Sequence, residues 1–279
     1  MRFIHPSAIV APECELGEAV HIGPGCVLTG HVVLGDNVRL LANVHLHGPV
    51  EIGADVEMYP NVCVGFPGQD FKFKPGMVTA GVKIGAGCIF REGVTVHAAT
   101  SQDNPTTLGE RVFMMVNSHI GHDSIIGNDV ILVNGALLAG FTVISDKVIL
   151  GGNAAIHQFC RVGRMTMIGG LAAVSVDVPP FCICPVRNTI TGLNMVGMRR
   201  GGIPREQITR TREAFRKALV PNLLRQERID LLTKMGEDCP PIMEIAEFIK
   251  AGKRPIATPP RERGRGKNTQ SETLIAEMA

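Results

Sequence analysis

Between Leu108 and Val174 the sequence reads LGERVF MMVNSH IGHDSI IGNDVI LVNGAL LAGFTV ISDKVI LGGNAA IHQFCR VGRMTM IGGLAA V, with an aliphatic residue or methionine opening every block of six. The same register runs through Ile4, Val10, Leu16, Ile22, Leu28, Leu34, Leu40, Leu46, Ile52, Met58 and Val64, and returns at Ile84, Phe90 and Val96. A period of six is neither helical nor the alternation of an ordinary strand; it marks a repeat architecture. Its physical solution is a parallel β-helix with three short flat faces per coil, each hexad supplying one face and one inward aliphatic side chain. Gly follows that side chain at Gly17, Gly23, Gly35, Gly53, Gly109, Gly121, Gly127, Gly151 and Gly163, where the chain turns a corner. The 26 hexads predict roughly 9 coils and, at about 4.8 Å between strands, a prism roughly 40 Å long.

Composition fits a narrow aliphatic interior: 45% of residues are hydrophobic but only 4% aromatic, with no Trp. A net charge of +2 gives no reason to expect nucleic acid as a partner. No basic, then apolar, leader precedes the first hexad, and no apolar run is long enough for a membrane span, so a cytoplasmic protein is expected. Eight cysteines are scattered without a CxxC pair and read as free thiols filling the core.

Two excursions interrupt the ladder. The first, between Val64 and Ile84, carries Gln69, Asp70 and Lys72 among Phe66, Phe71 and Phe73, enough polar groups to grip a ligand or brace a neighbouring chain. The second, from His97 to Thr107, reads as a plain surface turn. The hexads end at Val174, and Asp177-Val178-Pro179-Pro180 reads as a crossing into other structure. Helical spacing of Ile208, Phe215, Ala218 and Leu219 predicts one helix; others are expected over 222–235 and 241–251. The expected organisation is a β-helix over 1–185, a helical region over 186–253 and a disordered tail over 254–279.

The chemistry concentrates in Asn117-Ser118-His119-Ile120-Gly121-His122-Asp123. With Ile120 inward, His119 and His122 face out, and a histidine followed by a carboxylate is the arrangement a general base needs. Gly140, 18 residues on, lies one coil above His122, where its N–H can meet an oxyanion. His157 and Gln158 come a further coil along. A rival reading makes His97, His119 and His122 zinc ligands, as in trimeric β-helices of the γ-carbonic anhydrase type. A catalytically silent scaffold would keep the hexads and need none of these side chains.

With the hexads, the Gln69-to-Lys72 loop, the histidine string and Ala155-Ile156-His157-Gln158-Phe159 in hand, the chain resembles the bacterial acyl-carrier-protein–UDP-N-acetylglucosamine O-acyltransferases over roughly residues 3 to 250. The resemblance implies a left-handed coil, a homotrimer with sites between subunits, and acyl transfer from acyl carrier protein to the sugar 3-hydroxyl, opening lipid A synthesis. It implies His122 as base, Asp123 as its orienting partner and the Gly140 amide as oxyanion donor. Gln69, Asp70, Lys72, His119, His157, Gln158, Asn194 and Arg200 would contact the sugar nucleotide, and Gly170 would set acyl length. No cofactor beyond the acyl carrier protein as co-substrate is implied. Basic helix residues, Arg205, Arg210, Arg212, Arg216 and Lys217, are candidates to receive the acidic carrier. The chain departs from the family pattern at Phe141, where a histidine is usual, at Val196, where an acidic residue is usual, at Gly201, where a second basic residue is usual, and at Pro185-Val186-Arg187-Asn188. These departures leave open a different nucleotide sugar, such as a 3-amino one acylated on nitrogen.

Overall fold

The structure, a computed structural model, describes residues 2–260 apart from positions 72, 75 and 221. Three sheets of eleven, nine and eight strands run the length of a left-handed parallel β-helix. The hexad residues stack in register: on the first face, Ile4, Ile22, Leu40, Met58, Phe90, Met114, Leu132, Leu150 and Ile168. The second face stacks Val96, Ile120, Leu138, Ile156 and Val174, and the third Leu108, Ile126, Ile144 and Val162.

From Ile22 onward each hexad buries a second residue two positions earlier, because strand side chains alternate across the sheet. Val20, Val38, Val44, Val56 and Val62 fill these places and have no exposed surface. In the middle coils the slot turns polar, at Thr106, Ser118, Ser124, Thr142 and Thr166, all fully buried. Each is satisfied, as burial requires: the Ser124 and Thr142 hydroxyls bond each other at 2.9 Å, and Thr166 Oγ1 donates to Pro179 O at 2.9 Å. All eight cysteines are free, six of them buried, as expected of core fillers.

The prism does not stop at Val174. Val178, four residues on rather than six, bridges Val162 on the third face, and Cys182–Cys184 joins the first face beside Ile168. The expected crossing segment is therefore a last, shortened coil. The helical cap follows: α1 (Met195–Arg200), α2 (Arg205–Ala214, continued by a π turn over Phe215–Leu219), α3 (Arg225–Gly236) and α4 (Pro240–Ala251). The spacing found the last three. It missed α1, whose six residues are too few to show a period and which is started by Asn194, whose Oδ1 accepts from Gly197 N.

The cap is fastened by the ion pair of Arg164 with Glu244 of α4 at 2.7 Å and by Arg161, which is paired with Asp177 at 2.7 Å and donates Nη2 to Phe248 O of α4 at 2.8 Å. The tail expected from residue 254 is corrected for 254–260. Backbone bonds from Asp177 N to Pro255 O and from Ala257 N to Asp177 O tie this strap to the prism, and Ile190 N donates to Thr258 O. Composition suggested disorder, but backbone bonding and a buried Ala257 hold the segment. The rest of the expected tail, 261–279, lies outside the described residues.

Candidate active site

Both excursions leave the same edge of the prism. Cys63–Phe66 and Thr95–His97 belong to the second face, whereas Val82–Ile84 and Thr106–Leu108 belong to the third. The Gly121-His122-Asp123 corner lies on that edge too, between His119–Ile120 and Ile125–Ile126. The excursions hold each other through Ala80 N to Ser101 O and Ala99 N to Gly81 O, which satisfies backbone that has left the ladder.

His122 Nδ1 and Asp123 Oδ2 are 2.7 Å apart, with side chains only 13% and 7% exposed. Asp123 also accepts from Thr100 N at 3.0 Å, Thr100 Oγ1 at 2.7 Å and Ser101 N at 3.2 Å, and its own N–H donates to Thr106 Oγ1 at 2.8 Å. Burial would raise its pKa, but the hydrogen bonds from His122, Thr100 and Ser101 hold it below the ordinary value. An ionised Asp123 fixes the proton on His122 Nδ1 and leaves Nε2 as the basic atom. The second excursion is thus no plain surface loop. Thr100, Ser101 and Thr106 were invisible to motif reading because they stand far from His122 in sequence and share no spacing with it.

Gly140 stands against this ring. A Cβ there would lie 2.6 Å from His122 Cε1 and 2.7 Å from Nε2, so only glycine fits. Its N–H donates to no backbone carbonyl among the described residues, while the next amide, Phe141 N, donates to His122 O at 2.9 Å. A free donor therefore sits beside the basic nitrogen. Phe141 packs its ring at 5.2 Å from the His122 ring and stacks on Phe159 at 4.8 Å, so the usual polar neighbour is replaced by an aromatic pair.

The first excursion approaches from the other side. A Cβ on buried Gly68 would sit 2.9 Å from His122 Cβ, so Gly68 lies directly on the histidine and brings Gln69 to the site. Gln69 lines a cavity of about 610 Å³ with His119, Leu137, Ala155, Ala173 and Arg187. Along this face the outward side chains run from His119 to Leu137, Ala155 and Ala173, which makes a groove with an apolar floor. His119 Nδ1 bonds Thr95 Oγ1 at 2.7 Å, and the ring packs edge-on to His97 at 4.8 Å. Burial, with the neighbouring imidazoles of His97 and His122, lowers its pKa to about 4, so near neutral pH the ring is uncharged. His157 lines the same groove, and Gln158 follows it on the same edge. Asp70 belongs to the excursion beside Gln69; Lys72 lies outside the described residues.

His122 Nδ1 is committed to Asp123, and among the described residues no group of three His, Cys, Asp or Glu side chains is placed to hold a metal ion.

The comparisons with known proteins agree with this geometry. Residues 177–257 match the family model described as Udp N-acetylglucosamine O-acyltransferase, Domain 2, and residues 31–65 match that of the bacterial transferase hexapeptide. An acyl-[acyl-carrier-protein]–UDP-N-acetylglucosamine O-acyltransferase of Thermodesulfovibrio yellowstonii is 41% identical over 92% of this chain and 99% of that protein. One from Rhizobium johnstonii is 38% identical over 92% and 95%. The chain belongs to the acyl-[acyl-carrier-protein]–UDP-N-acetylglucosamine O-acyltransferase family. The solved UDP-N-acetylglucosamine acyltransferase of Francisella novicida superposes with a TM-score of 0.89 at 31% identity, covering 93% of this chain and 95% of that one.

Within this acyltransferase family member, the remaining candidates stand on other edges. Asn194 is on the edge between the third and first faces, where its Nδ2 donates to Met165 O at 2.8 Å, and Arg200 ends the helix that Asn194 starts. Gly170 follows Ile168 and precedes Ala173, on the edge between the first and second faces. One chain does not bring these three to His122. At Gly201 a Cβ would lie 2.1 Å from Met165 Cε, the end of a buried, flexible side chain that a larger residue there would displace.

Proposed function

We propose that this chain transfers a (3R)-3-hydroxyacyl group from acyl carrier protein to the 3-hydroxyl of UDP-N-acetylglucosamine, the first step of lipid A biosynthesis, in the cytoplasm. The observation that carries this reading is the His122–Asp123 pair beside the unengaged Gly140 N–H, at the head of an apolar groove. His122 Nε2 takes the proton of the sugar hydroxyl as its oxygen attacks the thioester carbonyl. Asp123 stabilises the imidazolium so formed. Gly140 N–H donates to the carbonyl oxygen as it becomes an oxyanion. Collapse breaks the C–S bond, and His122 returns the proton to the departing thiolate. The reading needs neither a covalent acyl-enzyme nor a cofactor besides the carrier.

The assembly proposed is a homotrimer. His122 occupies one edge of the prism, Asn194 and Arg200 a second, and Gly170 the third, so copies packed edge to edge around an axis along the prism complete each other's sites. In that arrangement a neighbour's Asn194 and Arg200 reach the nucleotide, and a neighbour's Gly170 limits the acyl groove.

The test is to incubate the protein with 3-hydroxyacyl carrier proteins of several lengths and UDP-N-acetylglucosamine or its 3-amino analogue, and to follow product by mass spectrometry. The expected result is O-acylated sugar nucleotide from the wild type and a loss of roughly a thousandfold in His122→Ala. Product only from the 3-amino acceptor would reassign the reaction to N-acylation; no product from any pair would end the reading. Gly170→Met is expected to shift preference to shorter donors.

A further inference from the structure

Two groups of cations where the prism meets the helical cap contrast. Arg161, Arg164, Arg210 and Lys217 are paired with Asp177, Glu244, Asp238 and Glu213. The other set surrounds a cavity of about 420 Å³ between α3, the end of α4 and the strap at 253–258. Arg225, Arg228, Lys253 and Arg254 line it, and no Asp or Glu does.

Arg225 is engaged, donating to the carbonyls of Ile249 and Gly252 that end α4. Arg228 is different. It is only 8% exposed, donates Nε to Ala218 O at 2.9 Å, and has no ion-pair partner among the described residues. Burial, with no opposing charge, pulls its guanidinium below the ordinary pKa. Arg254 donates Nη2 to Ser175 O at 3.2 Å, while its buried Nε has no hydrogen-bond partner among the described residues. A nine-tenths buried arginine with no ion-pair partner among the described residues, and an orphaned Nε on a second arginine lining the same cavity, are two separate unmet demands for an acceptor. Guanidinium forks suit phosphate geometry, with which they form charge-assisted bonds.

We infer that this cavity is a phosphate-binding site, and that the phosphate it takes is the phosphodiester through which the carrier protein holds its acyl-thioester arm. This rests on the function proposed above. Position selects that occupant. Ser175, whose carbonyl holds Arg254, also lines the apolar groove, and it stands three rungs beyond Gly121 in the column Gly121, Ala139, His157, Ser175. At about 4.8 Å per rung, Ser175, which holds the cavity's Arg254, lies roughly 14 Å along the prism from the rung of the base. Thr258 on its wall pairs with Thr189, two residues from the groove's Arg187. A phosphate anchored there leaves its arm to run down the groove with the thioester at His122.

The test compares two small donors that differ only in the phosphate, 3-hydroxyacyl-4′-phosphopantetheine and 3-hydroxyacyl-pantetheine, in wild type, Arg228→Met and Arg254→Gln. In the wild type KM for the phosphorylated donor is expected to be lower by about tenfold or more, and in each variant that ratio is expected to fall to about twofold or less. In parallel, inorganic phosphate alone is expected to raise the Tm of the wild type and leave that of Arg228→Met where it was. Equal KM values in the wild type, or a ratio that survives both substitutions, overturn the inference. Stabilisation by inorganic phosphate without any donor discrimination reassigns the cavity to a free anion and overturns the donor assignment. Turnover of neither donor, with carrier-bound donor also inert, sinks the proposed function instead; the phosphate-dependent Tm then decides the cavity alone. Should Arg228→Met not fold, Arg254→Gln carries both measurements.

Discussion

Two histidine corners lie on one edge of the prism, two coils apart, and only one is built as a base. At the lower corner His122 is almost covered, its Nδ1 2.7 Å from a carboxylate that accepts three further hydrogen bonds from Thr100 and Ser101. At the upper corner His157 is exposed, and its Nδ1 reaches only Gln158 O at 3.2 Å. The residue that turns the corner is Asp123 below and Phe159 above, in the same left-handed backbone at φ 58° and 64°. The coil therefore supplies identical slots. The difference comes from what fills the slot and from the excursions, which cover the lower corner.

The largest effect should follow from exchanging the treatment of these two corners. His122→Ala is expected to lower kcat by roughly a thousandfold, whereas His157→Ala should cost about tenfold and mainly in KM for the nucleotide sugar, the scale of one hydrogen bond. Comparable losses in kcat at both would break the distinction between base and contact. Next in size is Asp123→Asn, expected to reduce kcat by about a hundredfold with the fold intact, since the amide cannot stabilise an imidazolium. A circular-dichroism melt alongside the assay separates this from unfolding.

How much of this arrangement was legible follows from where its information resides. The hexads repeat, so every inward residue from Ile4 to Val174 could be placed by counting, and Gly140 could be set one coil above His122 the same way. Counting fails where the repeat does. Val178 comes two residues early, and α1 is too short to show a period. The donors to Asp123 sit on an excursion whose path is set by tertiary contacts such as Ala98 N to Phe66 O, which no local pattern encodes. Asn194 was expected only as a ligand contact, yet both ends of its carboxamide serve the fold. The separation of Asn194, Arg200 and Gly170 onto other edges could be seen only once the faces were assigned.

Thr100→Val tests the excursion's part in the comparison. It removes one hydroxyl donor to Asp123 and leaves the Thr100 and Ser101 amides in place, so activity should fall only severalfold, about 1 kcal/mol of stabilisation. A loss as large as that of Asp123→Asn would mean that the excursion, and not the carboxylate alone, is what separates the two corners.

The smallest effect concerns protons and stability. His119, one strand residue from the lower corner, is held neutral by burial and by the imidazoles of His97 and His122, with its pKa lowered to about 4. The unfolded chain takes up that proton near pH 6.5, the folded chain only near 4. Unfolding therefore gains protons in this window, and stability must fall as the pH drops from 6.5 to 4, with the full penalty present below 4. His97, lowered in the same direction by burial and by His122, adds to the slope. Tm measured from pH 7 to 4 should decline less steeply in His119→Gln than in the wild type, because the amide has no proton to gain. An unchanged slope in His119→Gln would show that the ring is hydrated in solution, and the lower corner would then be no drier than the upper one.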